Sequence, residues 1–232
     1  IWWAGSATAL KQQRDLESYF LNDPQLLDPQ PISLLSHQEL YEYTLAKATK
    51  FLAKLRDFQK EKERKYGSSP SNTLHSLYEL RTLMAGPLGT ALFPHSMPLR
   101  LHFGMFLPAL IRLGTPELLQ KWLEKALQFK GIVGAYAQTE LGHGSNLKSL
   151  ETRADYDTNT QQFVLNTPGL SAYKWWPGSL GHTANMAIVM AQLYIKNQHH
   201  GLHAFLVQIR DEITHEPLRG VDVGDIGPLM ST

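Results

Sequence analysis

Apolar positions recur every three to four residues through the first part of the chain, and in short alternating runs through the rest. Leu10, Leu16, Tyr19 and Phe20 share one face of a helix expected over residues 8–22, with Lys11, Arg14, Asp15 and Glu17 elsewhere. Asn22-Asp-Pro24 ends it, because the residue before proline is pushed out of the α region. Ser36-His-Gln-Glu39 is a capping box, and Leu40, Thr44, Ala48, Phe51, Leu52, Leu55 and Phe58 carry a long helix on to about Lys65. Its mixed-charge end, Lys60 to Lys65, reads as a solvated turn. Further helices are expected over 73–85 and 99–113. Thr115-Pro116-Glu117 then starts another with a cap, a proline at the first position and an acid in the first turn. Leu119, Trp122, Leu123, Ala126 and Leu127 form its core face, and Gly131 is expected to close it.

The texture changes at 131. Strands are expected over 132–138, 150–156, 161–165, 170–175, 186–194, 202–209 and 221–224, with hairpin turns at Asp157–Thr160 and Asn197–Gly201. Helices first and strands after, without alternation, predict an α+β chain: a helical domain over 1–130 and a β domain over 131–232.

Composition narrows the function classes. The chain has 232 residues, 43% of them hydrophobic and 19% charged, with a net charge of +1, as a globular protein has. That charge gives no field to recruit nucleic acid or an anionic membrane, and the basic residues are scattered. No apolar run approaches the roughly 20 residues of a membrane span. There is no cysteine, which excludes disulfides and cysteine-ligated metal. The chain starts without Met and stops at Leu229-Met-Ser-Thr232, so both ends read as cuts in a longer sequence.

The candidate chemistry lies in Tyr136-Ala-Gln-Thr-Glu-Leu-Gly-His-Gly-Ser-Asn146. A strand opening into Gly-x-Gly lets backbone N–H groups approach a planar or anionic ligand; a plain turn between strands carries the same glycines, and composition leaves both readings open. Ser145 lacks the Gly-x-Ser-x-Gly frame of a nucleophile elbow. His199, His200 and His203 have no carboxylate spaced with them, so no metal is expected.

In order along the chain, Leu21-Asn-Asp-Pro24, Gly114-Thr115, Lys121-Trp122, Tyr136–Gly144, Leu150-Glu-Thr152, Lys174-Trp-Trp-Pro-Gly178, Gly201-Leu-His-Ala-Phe205 and Val223–Pro228 resemble the flavin-dependent acyl-CoA oxidases, relatives of the acyl-CoA dehydrogenases. The Tyr136–Gly144 and Lys174–Gly178 blocks are specific to the oxidase branch. The resemblance implies FAD as cofactor, an acyl-CoA substrate desaturated to the trans-2-enoyl-CoA, and O₂ reduced to hydrogen peroxide. It implies a β domain of the acyl-CoA dehydrogenase type, mostly antiparallel, with further C-terminal helical domains missing here. It implies a homodimer of the full-length protein and a peroxisomal location, though no targeting signal is visible.

Carried over residue by residue, Tyr136, Ala137, Gln138 and Thr139 fall on the family's flavin-contacting strand, Gly144 and Ser145 on the loop that meets cofactor and substrate, and Gly178 on the second flavin segment. Trp176 either walls the flavin or packs in the core. Ser145 stands where many relatives have threonine, and His182 where a lysine or arginine is common; a surface role is expected for His182. Glu140 is expected to bond loop backbone. The family's catalytic glutamate lies beyond the β domain, so no catalytic residue is assigned here and the 232 residues alone are expected to be inactive. The alternatives are a shortened product that binds acyl-CoA or pairs with a full-length subunit, or an acyl-CoA dehydrogenase.

Overall fold

The computed structural model describes residues 5–28, 31–66, 83–84, 86–95 and 97–228. They form two compact units, one drawn from residues up to 98 with 227–228, the other Leu99–Ile226.

In the first unit, α1 (Ala7–Leu21) and α2 (His37–Tyr66) meet through aromatic rings. Phe20 lies 5.0 Å from Phe51 and Tyr19 lies 4.9 Å from Phe58, and Phe51 continues edge-on to Phe93, just past α3 (Pro87–Leu92). The capping box forms as its sequence requires: the Ser36 amide donates to Glu39 Oε2 at 2.9 Å, and the Glu39 amide donates to Ser36 Oγ at 3.3 Å. Lys54 pairs with Asp23, and Lys47 with Asp28 at 2.6 Å, so both acids of the link after α1 are tied to α2. The helix expected over 73–85 lies, but for 83–84, outside the described residues.

The second unit begins with helix, and α4 (Leu107–Leu113) is preceded by a π-helical turn, His102–Phe106. The helix expected over 99–113 is therefore interrupted. Pro108 cannot donate and its ring crowds the preceding turn; widening to an i→i+5 bond, Leu107 N–H to the His102 carbonyl, relieves it. Thr115 caps α5 (Pro116–Leu127), its hydroxyl accepting from Leu118 N–H at 3.3 Å. The stop is not Gly131. Phe129 takes the left-handed conformation (φ 52°), and Lys130 N–H reaches back to the Lys125 carbonyl at 2.9 Å. A non-glycine residue holds this position because its ring packs 4.6 Å from His102 and 5.2 Å from Phe103.

The sheet is built on β4 (Met186–Ile195). β5 (Gln198–Gln208) pairs antiparallel along one edge of it. The other edge is shared: β1 (Gly134–Ala137) runs parallel beside Met186–Val189, and β2 (Arg153–Asp157) runs parallel beside Gln192–Ile195. β3 (Gln162–Asn166) closes antiparallel on β2. The sheet is thus mixed, with antiparallel pairing in its longest ladder. Ala135, Ala184, Ala187 and Ile209 form a core against which Leu101, Val221 and Val223 pack.

Two expected strands are not strands. Residues 170–175 form a 3₁₀ turn, Leu170–Ala172, followed by a single bridge between Lys174 and Glu140, because their backbone groups serve the neighbouring loop. Residues 221–224 run without a ladder; their alternation reports that Val221 and Val223 are inward, not that a partner strand exists. The Asn197–Gly201 turn is shorter than expected. Lys196 and Asn197, both with positive φ, make the reversal, and Gly201 (φ 85°) lies within β5 opposite Leu193, beside a register shift.

Candidate functional site

His102 sets where β1 begins. Its Nδ1 accepts from Gly134 N–H at 2.8 Å, so Nε2 carries the proton and donates to the Ala126 carbonyl at 3.0 Å. Burial pushes its pKa down to about 4, against the lift from the Ala126 bond, so the ring is neutral. Gly134 is required by contact: a Cβ there would fall 2.2 Å from the Phe106 ring.

Alternation along β1 divides the candidate residues. Ala137 is buried, while Tyr136 and Gln138 share the other side, where the phenol donates to Gln138 Oε1 at 3.1 Å. Thr139 is half-buried, and neither its amide nor its hydroxyl bonds to any atom of the described residues.

Next comes a tight reversal in which Glu140 and His143 exchange backbone bonds of 3.1 Å. Its tip is held by the 3₁₀ turn: Leu141 N–H donates to the Tyr173 carbonyl and Gly142 N–H to that of Ser171, each at 2.8 Å. Gly142 has no room for a Cβ, which would lie 2.9 Å from that of Ser171. Gly144 and Gly178 differ: a Cβ at either would meet nothing within 4 Å, and neither has positive φ. The described residues do not demand glycine there. Gly144 and Ser145 are exposed, and the amides of Gly144, Ser145 and Asn146 donate to no described atom.

The second segment lies alongside. Trp175 N–H donates to the Thr139 carbonyl at 3.0 Å, placing Lys174–Gly178 against the end of β1. Trp176 is 61% exposed with φ 63°, so it packs in no core among the described residues. His182 is at the surface, as expected, 2.8 Å from Asp225 Oδ2.

The centre of this region is a pair that sequence spacing did not reveal. The Glu140 carboxylate is fully buried and accepts from the Glu151 amide at 2.7 Å, the Thr152 amide at 2.8 Å, the Thr152 hydroxyl at 2.6 Å, Lys174 at 3.0 Å and His143 Nδ1 at 3.1 Å. Burial alone raises its pKa; the Glu151 amide, the Thr152 hydroxyl and amide and Lys174 outweigh it and hold the group at about 2. Burial pulls Lys174 down and Glu140 pulls it up. The ammonium form stands, because Nζ donates to three acceptors: Glu140, the Gln138 carbonyl at 3.0 Å and the Met190 carbonyl at 2.7 Å. Met190 falls between the stretches of β4 that β1 and β2 occupy, so Lys174 fills the break in the shared edge. The Leu150-Glu-Thr152 block, which carried resemblance without a role, is where Glu140 anchors. A lysine and a glutamate inside otherwise apolar or glycine-rich motifs were the available signal.

His199 bonds Gln192 Oε1 at 2.8 Å and stacks on Tyr194. Among the described residues no three His, Asp or Glu side chains are grouped to hold a metal, and no helix is long and apolar enough to cross a membrane.

The arrangement offers an open strand end and a loop whose donors have no partner among the described residues, beside an exposed tryptophan. The chain matches two family models: acyl-coenzyme A oxidase N-terminal over residues 1–132, and acyl-CoA dehydrogenase middle domain over residues 135–231. Acyl-coenzyme A oxidase 1 of Drosophila melanogaster is 50% identical over 98% of this chain and 32% of its own length. Peroxisomal acyl-coenzyme A oxidase 1 of Homo sapiens is 40% identical over 97% of this chain and 31% of its own. Acyl-CoA oxidase-2 of Caenorhabditis elegans, solved with FAD, ascaroside-CoA and ATP, superposes with a TM-score of 0.77 at 39% identity, covering 98% of this chain and 32% of that one. The chain therefore spans about a third of the length of these relatives.

Proposed function

Because this chain belongs to the acyl-CoA oxidase family, we propose that it supplies the flavin-contacting part of an FAD-dependent oxidase acting on acyl-CoA. The overall change is acyl-CoA plus O₂ to trans-2-enoyl-CoA plus hydrogen peroxide. The observation that carries the reading is the donor set at the end of β1: the Thr139 amide and hydroxyl and the amides of 144–146 have no described partner, and the glycines at 144 and 178 leave space that the described residues do not fill. Such donors fit the acceptor-rich edge of a flavin, whose ring gains negative charge on reduction. Bound FAD would supply a two-electron acceptor for the hydride leaving the substrate β carbon.

The residues assigned to the cofactor are Tyr136, Ala137, Gln138, Thr139, Gly144, Ser145 and Gly178, all in the 131–232 region. Ala137 and Gln138 contribute backbone, Thr139 its amide and hydroxyl, and Trp176 an exposed ring beside them. Glu140 is not the base that removes the α proton. Its oxygens are taken by five donors and its pKa is held at about 2, too low to compete for a carbon-bound proton. The base is assigned outside these 232 residues, which are inactive by themselves. The complete enzyme is assigned as a homodimer, and as peroxisomal in keeping with the name of the human relative.

The test is the visible spectrum of the complete protein before and after FAD is added and the excess removed by gel filtration. A retained flavin band that acyl-CoA bleaches is expected; a folded protein with no retained band overturns the reading. Peroxide formed from acyl-CoA by the 232 residues alone overturns the assignment of the base.

A further inference from the structure

The peptide joining Gln138 to Thr139 is bonded at one end and open at the other. Its carbonyl accepts from the Lys174 ammonium at 3.0 Å. Its N–H donates to no atom of the described residues. An ionised donor on a carbonyl draws electron density toward that oxygen, and the N–H of the same peptide becomes a stronger donor, since hydrogen bonds in a chain polarise one another. Water does little to dilute the effect, because the lysine side chain is 11% exposed. Its remaining donors are fixed on Glu140 and Met190, and the next residue, Trp175, holds the Thr139 carbonyl. The Lys174–Trp175 dipeptide therefore grips both carbonyls at the end of β1.

We propose that Lys174 is a positioning residue that acts through the Gln138–Thr139 peptide: it fixes that peptide and strengthens the Thr139 N–H toward a ligand acceptor that gains negative charge. The proposal rests on the flavin reading above. Lys174 then favours reduced over oxidised cofactor without touching it. Glu140, 3.0 Å from Nζ, offsets part of the lysine's field, but only Lys174 bonds the Gln138 carbonyl, and that direct bond carries the polarisation.

The experiment is the midpoint potential of the flavin in the FAD-loaded complete protein, for wild type, Lys174→Met, Lys174→Gln and Lys174→Arg. The two neutral variants are expected to retain oxidised FAD and to shift the midpoint negative, equivalent to about a fivefold loss in the ratio of reduced to oxidised cofactor affinity. Lys174→Arg, which keeps the charge, stays near wild type. If the single neutral variants do not fold, Glu140→Gln with Lys174→Met leaves no unpaired buried charge and is expected to show the same shift. An unchanged midpoint in a folded, loaded neutral variant overturns the proposal and leaves the flavin reading standing. Loss of FAD from every neutral variant makes Lys174 a brace only and also overturns it. Wild-type protein that takes up no FAD overturns the flavin reading itself.

Discussion

Lys174 Nζ lies 3.0 Å from Glu140 Oε1, and the two groups, 34 residues apart in sequence, join three chain segments: the end of β1, the start of β2 and the middle of β4. Removing either partner leaves a buried charge uncompensated. Glu140→Gln or Lys174→Met is expected to lower unfolding free energy by about 3–5 kcal/mol, and the double variant by less than the sum. Urea denaturation of the three proteins measures this; additive losses would mean that the pair does not act as a unit.

The pH dependence follows from two buried groups. Glu140 sits near 2 in the fold against an ordinary 4.5, so its contribution is complete above pH 4.5 and disappears as pH falls toward 2. His102 sits near 4 against 6.5, so stability is full above pH 6.5 and declines as pH falls through 4. Denaturation midpoints between pH 7 and 3 should fall in two stages, and His102→Asn should flatten the upper stage while lowering the plateau. A variant that keeps the wild-type slope between pH 6.5 and 4 rules out His102 as its source.

Glycines at three positions should respond differently to alanine. Gly134→Ala forces a Cβ onto the Phe106 ring and is expected to cost about 1–3 kcal/mol, partly recovered by Phe106→Leu. Gly144→Ala and Gly178→Ala enter open space and should change stability by no more than about 0.5 kcal/mol. If they face cofactor, FAD affinity drops while the melting curve stays; unaltered affinity in both removes them from the site.

Thr139→Val removes a hydroxyl that bonds to no described atom. Stability should hold, and FAD affinity should fall about fivefold, the worth of one hydrogen bond. Fluorescence titration against wild type decides it.

Sequence reading reached what local chemistry determines. The capping box at Ser36 and Glu39, the Thr115-Pro116 start and the β2–β3 turn at Asp157 all formed. The site segments were read from the family resemblance, composition having left a plain turn equally open; the structure joins the two segments through Trp175 N–H and the Thr139 carbonyl. What was lost is non-local. Nothing in residues 186–195 announces that one edge will serve two strands. Phe129 replaces the expected glycine stop through rings donated by His102 and Phe103. Alternation at 221–224 showed a buried face and was read as pairing. Lys174 carried resemblance but no role, since its three acceptors come from positions 138, 140 and 190.

The shared edge of β4 also constrains the order of events during synthesis. β1 is complete at residue 137 and β2 at 157, yet neither has its parallel partner until residues 186–195 exist. Chains emerge from the ribosome N-terminus first, at a pace of about 5–20 residues per second. The nascent Tyr136–Asn146 segment therefore spends several seconds without the strand that orders it, and a chaperone or ligand acting co-translationally would meet it unpaired. Only when the β4–β5 hairpin closes, a local event around Lys196–Asn197, do the two waiting strands find one template and Lys174 its third acceptor.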